Sequence, residues 1–223
     1  MAQWPVELRG RTPAGEEIVL NALRRRDKAD WMRVRAINRA WLARWEATSP
    51  DQSHGQVLTF GDLVRYYNKE GRAGRMLPFV IRTGGRRRLV GQMSLFGIAW
   101  GSLMSVSAGY WVDEDVAGRG ITPTALALAG DYAFGTIGLH RLEVNIRPQN
   151  ANSLAVVHKL GFRDEGMRAA YLHIDGGWRD HQSFALTVED LRGRTLMERL
   201  HNNHTSHIGD TPPHLPGVTP EDT

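Results

Sequence analysis

The chain has 223 residues, a formal net charge of +4, 41% hydrophobic content and no cysteine. That is the size of one ordinary domain with a tail, large enough for a substantial core. Disulfides and thiol catalysis are excluded, and no apolar run approaches the ~18 residues of a membrane span. The N-terminal Met-Ala-Gln-Trp-Pro-Val-Glu-Leu-Arg lacks the apolar core of a signal peptide, so cytoplasm is the expected compartment. All 28 lysines and arginines lie in the first 200 residues, with 21 of the 24 acids, which makes that body +7. A mildly basic body suits a polyanionic ligand, an acidic partner or RNA. The arginines are scattered rather than laid along one face, however, and most read as a solvated surface.

Thr12-Pro13-Ala14-Gly15 marks a turn, and the alternation of Ile18, Leu20 and Ala22 predicts an opening strand or hairpin. Asp27 has the character of a helix cap. After it Trp31, Val34, Arg35, Asn38, Trp41, Leu42 and Trp45 recur at roughly helical spacing, predicting a helix over 27–45 with a break near Asn38. Trp41, Trp45 and Glu46 precede a polar loop, 48–55, and are candidates for an acceptor pocket as well as for the core. Thr59, with Asp62 three residues on, predicts a capped helix reaching Gly71. A three-strand meander follows, over 77–83, 86–98 and 103–112, with Gly84-Gly85 as its first turn.

The stretch Gly109-Tyr110-Trp111-Val112-Asp113-Glu114-Asp115-Val116-Ala117-Gly118-Arg119-Gly120-Ile121-Thr122 carries the strongest functional signal. A β-favouring run ends in an acidic turn, two glycines follow, and a helix starts near Ile121, with Pro123 in its first turn. Glycines admit an anion close to the backbone, and the first turn of a helix presents unpaired N–H groups and a favourable dipole. The pattern therefore reads as a pyrophosphate seat. It lacks the third glycine of a dinucleotide fold, because position 123 is Pro, and it lacks the Gly-Lys-Ser/Thr of a nucleotide-triphosphate loop. Further on, helices are predicted over 121–136, 153–160 and 188–199, and strands over 142–147, 162–174 and 179–187. Ser153 is the expected cap of the second of these helices, and Asp175-Gly176-Gly177 makes the last turn. The sequence predicts a domain over 1–200 and a flexible tail over 201–223. His201, His204 and His207 sit three apart in the tail, a spacing that could catch a divalent metal, but without a carboxylate frame a flexible polar tail with no metal is the expected reading.

Four motifs together resemble the GNAT superfamily of acyl-CoA-dependent N-acyltransferases. They are Gly109–Val112 running into Gly118-Arg119-Gly120; Leu139-His140-Arg141-Leu142-Glu143-Val144; Arg147-Pro148-Gln149-Asn150-Ala151-Asn152-Ser153 with Lys159-Leu160-Gly161-Phe162; and Asp175-Gly176-Gly177-Trp178-Arg179-Asp180. The branch they resemble is that of the ribosomal-protein-alanine N-acetyltransferases, and the likeness spans about residues 6–192.

The resemblance implies an α+β fold with a mixed, mostly antiparallel sheet of about seven strands flanked by helices, in which two central strands splay apart. It implies acetyl-CoA as co-substrate, contacted by Tyr110, Trp111, Val112, Gly118, Arg119, Gly120, Ile121 and Thr122 on one side and Asn145, Asn150, Asn152 and Ser153 on the other. It implies Glu143 or Glu165 as base, with Glu46 and His140 as further candidates, and Ser153 as an acid. Trp41, Trp45 and Glu46 become acceptor-binding residues. Two departures stand out: Asp115 occupies a position where the family often has Arg or Gln, and Val157, with His158 beside it, occupies that of the usual tyrosine acid. The expected activity is acetyl transfer to a protein N-terminal amine, with a ribosomal protein as its candidate source, by direct attack in a ternary complex. The alternatives are a small-molecule amine acetyltransferase and, in another class, a catalytically weak acyl-CoA sensor or a ribosome- or RNA-associated binding protein. Monomer and homodimer are both compatible with the sequence.

Overall fold

The computed structural model describes residues 4–50, 59–84 and 87–208, with side chains as far as 203. Most of the polar loop expected over 48–55, Gly85 and Arg86 of the hairpin turn, the side chains of His204 and His207, and the tail beyond Ile208 lie outside the described residues.

Eight strands form one sheet: β1 (Leu8–Arg11), β2 (Glu17–Ala22), β3 (Met76–Thr83), β4 (Arg88–Ala99), β5 (Ser105–Val112), β6 (Arg141–Ile146), β7 (Arg163–Ile174) and β8 (Gly177–Thr187). Their spatial order is β1-β2-β3-β4-β5-β6-β8-β7. The opening segment pairs as a true hairpin, Leu8 opposite Leu20 and Arg11 opposite Glu17, which raises the strand number from the expected seven to eight. Every neighbouring pair is antiparallel except β5 and β6, which run parallel.

Two helix layers cover the sheet. On one face lie α1 (Lys28–Ile37), α2 (Arg39–Ala43) and α3 (Phe60–Arg72). Trp31 and Val34 of α1 and Val64 of α3 pack there with Leu23, Val80 and Leu89. The break near Asn38 falls where the sequence places it, between α1 and α2. Thr59 caps α3 as expected, its Oγ1 accepting the Asp62 N–H at 3.2 Å while Asp62 reaches back to the Thr59 N–H at 3.1 Å.

The other face carries α4 (Ile121–Asp131), α5 (Ala151–Lys159), α6 (Val188–Leu191) and α7 (Leu196–Ile208). Helix α4 is buried almost all round, because it lies between the sheet and α7. Gly130 permits that crossing: a Cβ there would stand 2.5 Å from Leu196 Cδ1. Asp131 then receives the N–H groups of Leu196 and Met197 at 2.6 and 3.1 Å, capping α7 across 65 residues of sequence. Anchored by this cap and by buried Leu196 and Leu200, the final helix continues to Ile208 rather than stopping near 199. Helix α5 is capped by Asn150, whose Oδ1 accepts the Ser153 N–H at 3.1 Å; Ser153 is therefore in the first turn and is not the cap.

Candidate active site

Strands β5 and β6 pair only where Ser105, Val106 and Ser107 meet Arg141, Leu142 and Glu143. Beyond Ser107 the ladder opens, and a cavity of about 490 Å³ occupies the gap. Main-chain direction alternates along a strand. The Asp113 N–H points back to β4, donating to Val90 O at 2.7 Å, so the main-chain groups of Tyr110 and Val112 face the opening. Val112 O confirms that direction by accepting the Trp41 indole N–H at 3.3 Å.

At one end of the cavity is the glycine cradle. Gly118 and Gly120 have φ of +80° and +78°, the left-handed region in which glycine alone is unstrained. The first intrahelical bond of α4 runs from Thr124 N to Gly120 O at 3.2 Å, which leaves the N–H groups of Ile121 and Thr122 as first-turn donors. Gly118, Gly120, Ile121 and Thr122 line one side of the cavity, and Asn150, Asn152, Ser153 and Lys159 line the other. Between them the Tyr110 hydroxyl is buried beside Ser153 without a well-formed hydrogen bond. Burial pushes the phenol pKa far above its ordinary value, so Tyr110 remains a neutral donor facing the cavity. An open strand edge, a positive helix terminus and an orphaned hydroxyl suit an extended, polar ligand ending in phosphates.

Trp41, Trp45, Glu46, Tyr67, Gln92, Ser94 and Trp111 line the opposite end of the cavity. Arg35 forks onto Glu46, with Nη2 2.8 Å from Oε2, and its guanidinium lies 5.2 Å from the centre of the Trp111 ring. The Gln92 amide donates to Tyr67 Oη and Ser94 Oγ at 3.0 and 2.7 Å and accepts the Trp111 indole N–H at 3.3 Å. Asn38 locks this end to the strand terminus. Its Nδ2 donates to Val34 O and Asp113 Oδ1, both at 2.9 Å, and its Oδ1 accepts the Glu114 N–H at 2.9 Å. Asp113 is 1% exposed and is paired by Arg88 at 2.5 Å.

Four expected site residues lie outside the cavity wall. Glu143 is held by Arg141 at 2.7 Å and Arg168 at 3.3 Å. Glu165 is gripped by Arg141 and by Arg163, and the Arg141 hydrogen bond is the main reason its pKa falls to about 2. Neither carboxylate borders the cavity, so neither is placed to accept a proton there. Asn145 accepts a hydrogen bond from Ser183 Oγ at 2.7 Å, and the Arg119 side chain pairs with Glu16 at 2.8 Å, while the residue itself lines a neighbouring cavity with Gly118, Gly120, His158 and Lys159. His140, a further base candidate, pairs with exposed Glu189 at 2.9 Å. Val157 is fully buried and leaves the position of a helix-borne acid empty of any polar group. Among the described residues no cluster of His, Cys, Asp and Glu has the makings of a metal site.

The splayed parallel pair above a helix N-terminus defines an acyl-CoA-binding transferase. Residues 17–163 match the acetyltransferase (GNAT) domain model, and the chain belongs to that family. It is 36% identical over 137 residues to the probable N-acetyltransferase YjcK of Bacillus subtilis (strain 168), covering 56% of this chain and 76% of that one. It is 31% identical over 155 residues to the [ribosomal protein uS5]-alanine N-acetyltransferase of Escherichia coli (strain K12), covering 70% and 79%. Among solved structures, Mycobacterium smegmatis RimJ in complex with CoA-disulfide superposes with a TM-score of 0.82 at 37% identity, over 90% of this chain and 96% of that one. The protein is an acetyl-CoA-dependent N-acetyltransferase of the GNAT type, related to the ribosomal-protein acetyltransferases.

Proposed function

We propose that the acceptor is the α-amine at the N-terminus of a protein or peptide, acetylated by direct attack while both substrates are bound. The carrying observation is that, among the described residues, the cavity wall holds no unpaired base. Among the described residues its titratable groups are Glu46, Tyr67, Tyr110 and Lys159, and Glu46 is the one carboxylate, tied by Arg35. Such a site is matched to an amine that arrives neutral. A terminal α-amine has a free pKa of about 7.7–8.0 and an alkyl side-chain ammonium about 10.4. At pH 7 roughly one α-amine in ten is neutral, against a few alkyl amines in ten thousand. A polycation would also find no free anion in this wall.

Bound acetyl-CoA supplies an acetyl thioester. Gly118, Gly120, Ile121 and Thr122 would hold its pyrophosphate through their N–H groups, and Tyr110 would offer main-chain groups to its pantetheine arm as a strand partner does. The Val112 N–H faces the gap and stabilises negative charge growing on the carbonyl oxygen. Ser153, in the first turn of α5, would relay to the departing sulfur the proton that the attacking nitrogen loses on becoming an amide, so that the step releases amide and thiol and needs no net base. With no cysteine in the chain, no thiol acyl-enzyme intervenes. Kinship to the uS5-alanine enzyme of E. coli supports a ribosomal protein as the source of the N-terminus.

The test is release of free thiol from acetyl-CoA with alanine- or serine-initiated peptides against spermidine at pH 7. The expected result is a kcat/KM at least tenfold higher for the peptides. Faster turnover of spermidine would overturn the reading. Tight acetyl-CoA binding with no turnover on any amine would favour a sensor.

A further inference from the structure

Trp45 stands at the acceptor end of the cavity, one helical turn beyond Trp41. Two guanidiniums lie over its rings from just outside the cavity lining, Arg147 at 5.5 Å and Arg44 at 5.9 Å from the ring centre, so they reach the cavity by way of Trp45. Arg147 is held in place by a bond from Nη1 to Arg44 O at 2.6 Å, while its Nε is buried with no partner. Among the described residues neither arginine has a carboxylate partner, unlike Arg35, Arg88, Arg141 and Arg163. The nearest carboxylate of the cavity wall, Glu46, is already engaged by both outer nitrogens of Arg35. A stacked, partly fixed guanidinium with free donors is a carboxylate receptor awaiting its anion.

Distance sets which carboxylate it takes. Trp41 touches Val112 O, so the attacking amine lies near Trp41. One helical turn is about 5.4 Å, and an extended chain advances about 3.3–3.6 Å per residue. A ligand chain entering from Trp45 therefore places its second or third residue over the arginine pair when its first amine is at Val112.

We infer that Arg44 and Arg147, arrayed on Trp45, form a subsite for an acidic side chain at the second or third position of the acceptor, so that the enzyme selects N-termini beginning with a small residue followed by Asp or Glu. This rests on the α-amine reading above and adds the sequence context that the acceptor must have. The experiment measures kcat/KM by thiol release at low salt for three peptides identical except for Glu, Gln or Lys at positions 2 and 3. Wild type, Arg147→Gln, Arg44→Gln and Arg147→Glu are compared.

In wild type the Glu peptide leads the Gln peptide by about tenfold, the scale of a charge-assisted hydrogen bond. The lead narrows to threefold or less in Arg147→Gln, shrinks partly in Arg44→Gln, and reverses towards the Lys peptide in Arg147→Glu. KM for acetyl-CoA stays within about twofold throughout. Equal rates on all three peptides in wild type, or a uniform loss in the variants with the Glu preference intact, overturn the subsite while leaving the α-amine reading standing. Turnover of spermidine but of none of the peptides overturns both. Arg44 is exposed, so its variant retains a readout if Arg147→Gln does not fold.

Discussion

Replacing Asn38 by alanine removes three hydrogen bonds at once, to Val34 O, Asp113 Oδ1 and the Glu114 N–H, at a residue only 2% exposed. Two of them are ordinary bonds worth about 1 kcal/mol each, and the third, to an ionised carboxylate, about 1.5–3 kcal/mol. Asp113 keeps Arg88 but loses the amide that faces it. The total is about 3.5–5 kcal/mol, and for a chain of this length each kcal/mol lowers Tm by about 2–4 °C. A fall of about 10 °C is therefore expected by calorimetry. The bond network also ties the α1–α2 break, and with it Trp41, to the end of β5. KM for the peptide should accordingly rise several-fold and kcat fall, while acetyl-CoA affinity, set at the cradle end, changes by less than about threefold. Asn38→Asp, nearly isosteric, sets a second carboxylate against Asp113 and should be at least as damaging. A Tm within about 3 °C of wild type for Asn38→Ala, or an equal loss of affinity for both substrates, would refute the claim that this network positions the acceptor end.

Three further outcomes are expected. Glu165→Gln should retain wild-type kcat, because Glu165 does not border the cavity; a loss of a hundredfold or more would restore it as a base. Its stabilising effect has a defined pH window: the folded pKa of about 2 lies below the ordinary 4.5, so the contribution is present above about pH 4.5 and is lost as pH falls towards 2. The Tm difference between wild type and this variant should therefore be widest near neutrality and vanish at the acid end. Gly120→Ala should cost about 1–2 kcal/mol in stability from its left-handed backbone alone, since the new Cβ meets nothing closer than Thr12 at 3.7 Å. It should also raise KM for acetyl-CoA with little change in peptide KM, as titration of each substrate would show.

Local chemistry was legible in the sequence and long-range pairing was not. The glycines at 118 and 120, the Thr59–Asp62 capping box and the break at Asn38 depend on neighbours within a few residues, and all three appear where the sequence places them. The splay of β5 from β6 followed from the family resemblance, because no local signal says where a parallel ladder stops. Glu143, a base candidate from the family resemblance, is ion-paired by Arg141, which stands two residues earlier on the same face of the strand, a period-2 clue to the pair that the sequence carries. The Asn38–Asp113 bond spans 75 residues, and the Asp131 cap of α7 spans 65, so nothing in either segment announces its partner. The Asp131 cap is also why the last helix outlasts its expected end. Gln92 and Ser94, alternate residues on β4, were not singled out because an alternating polar pair on a strand normally reads as a solvent face, whereas here it lines the acceptor cavity.

The central claim, transfer to an α-amine that arrives neutral at a site whose described residues offer no free base, is tested most directly by the pH dependence of kcat/KM for an alanine-initiated peptide at saturating acetyl-CoA. The account predicts a rise with unit slope that bends to a plateau near pH 8, at the titration of the peptide's own amine. The bend should move when that amine's pKa is changed by the neighbouring residue and stay fixed in Glu46→Gln. A bend near pH 6 that ignores the peptide's pKa and disappears in a single enzyme variant would show a base in the enzyme, and would contradict it.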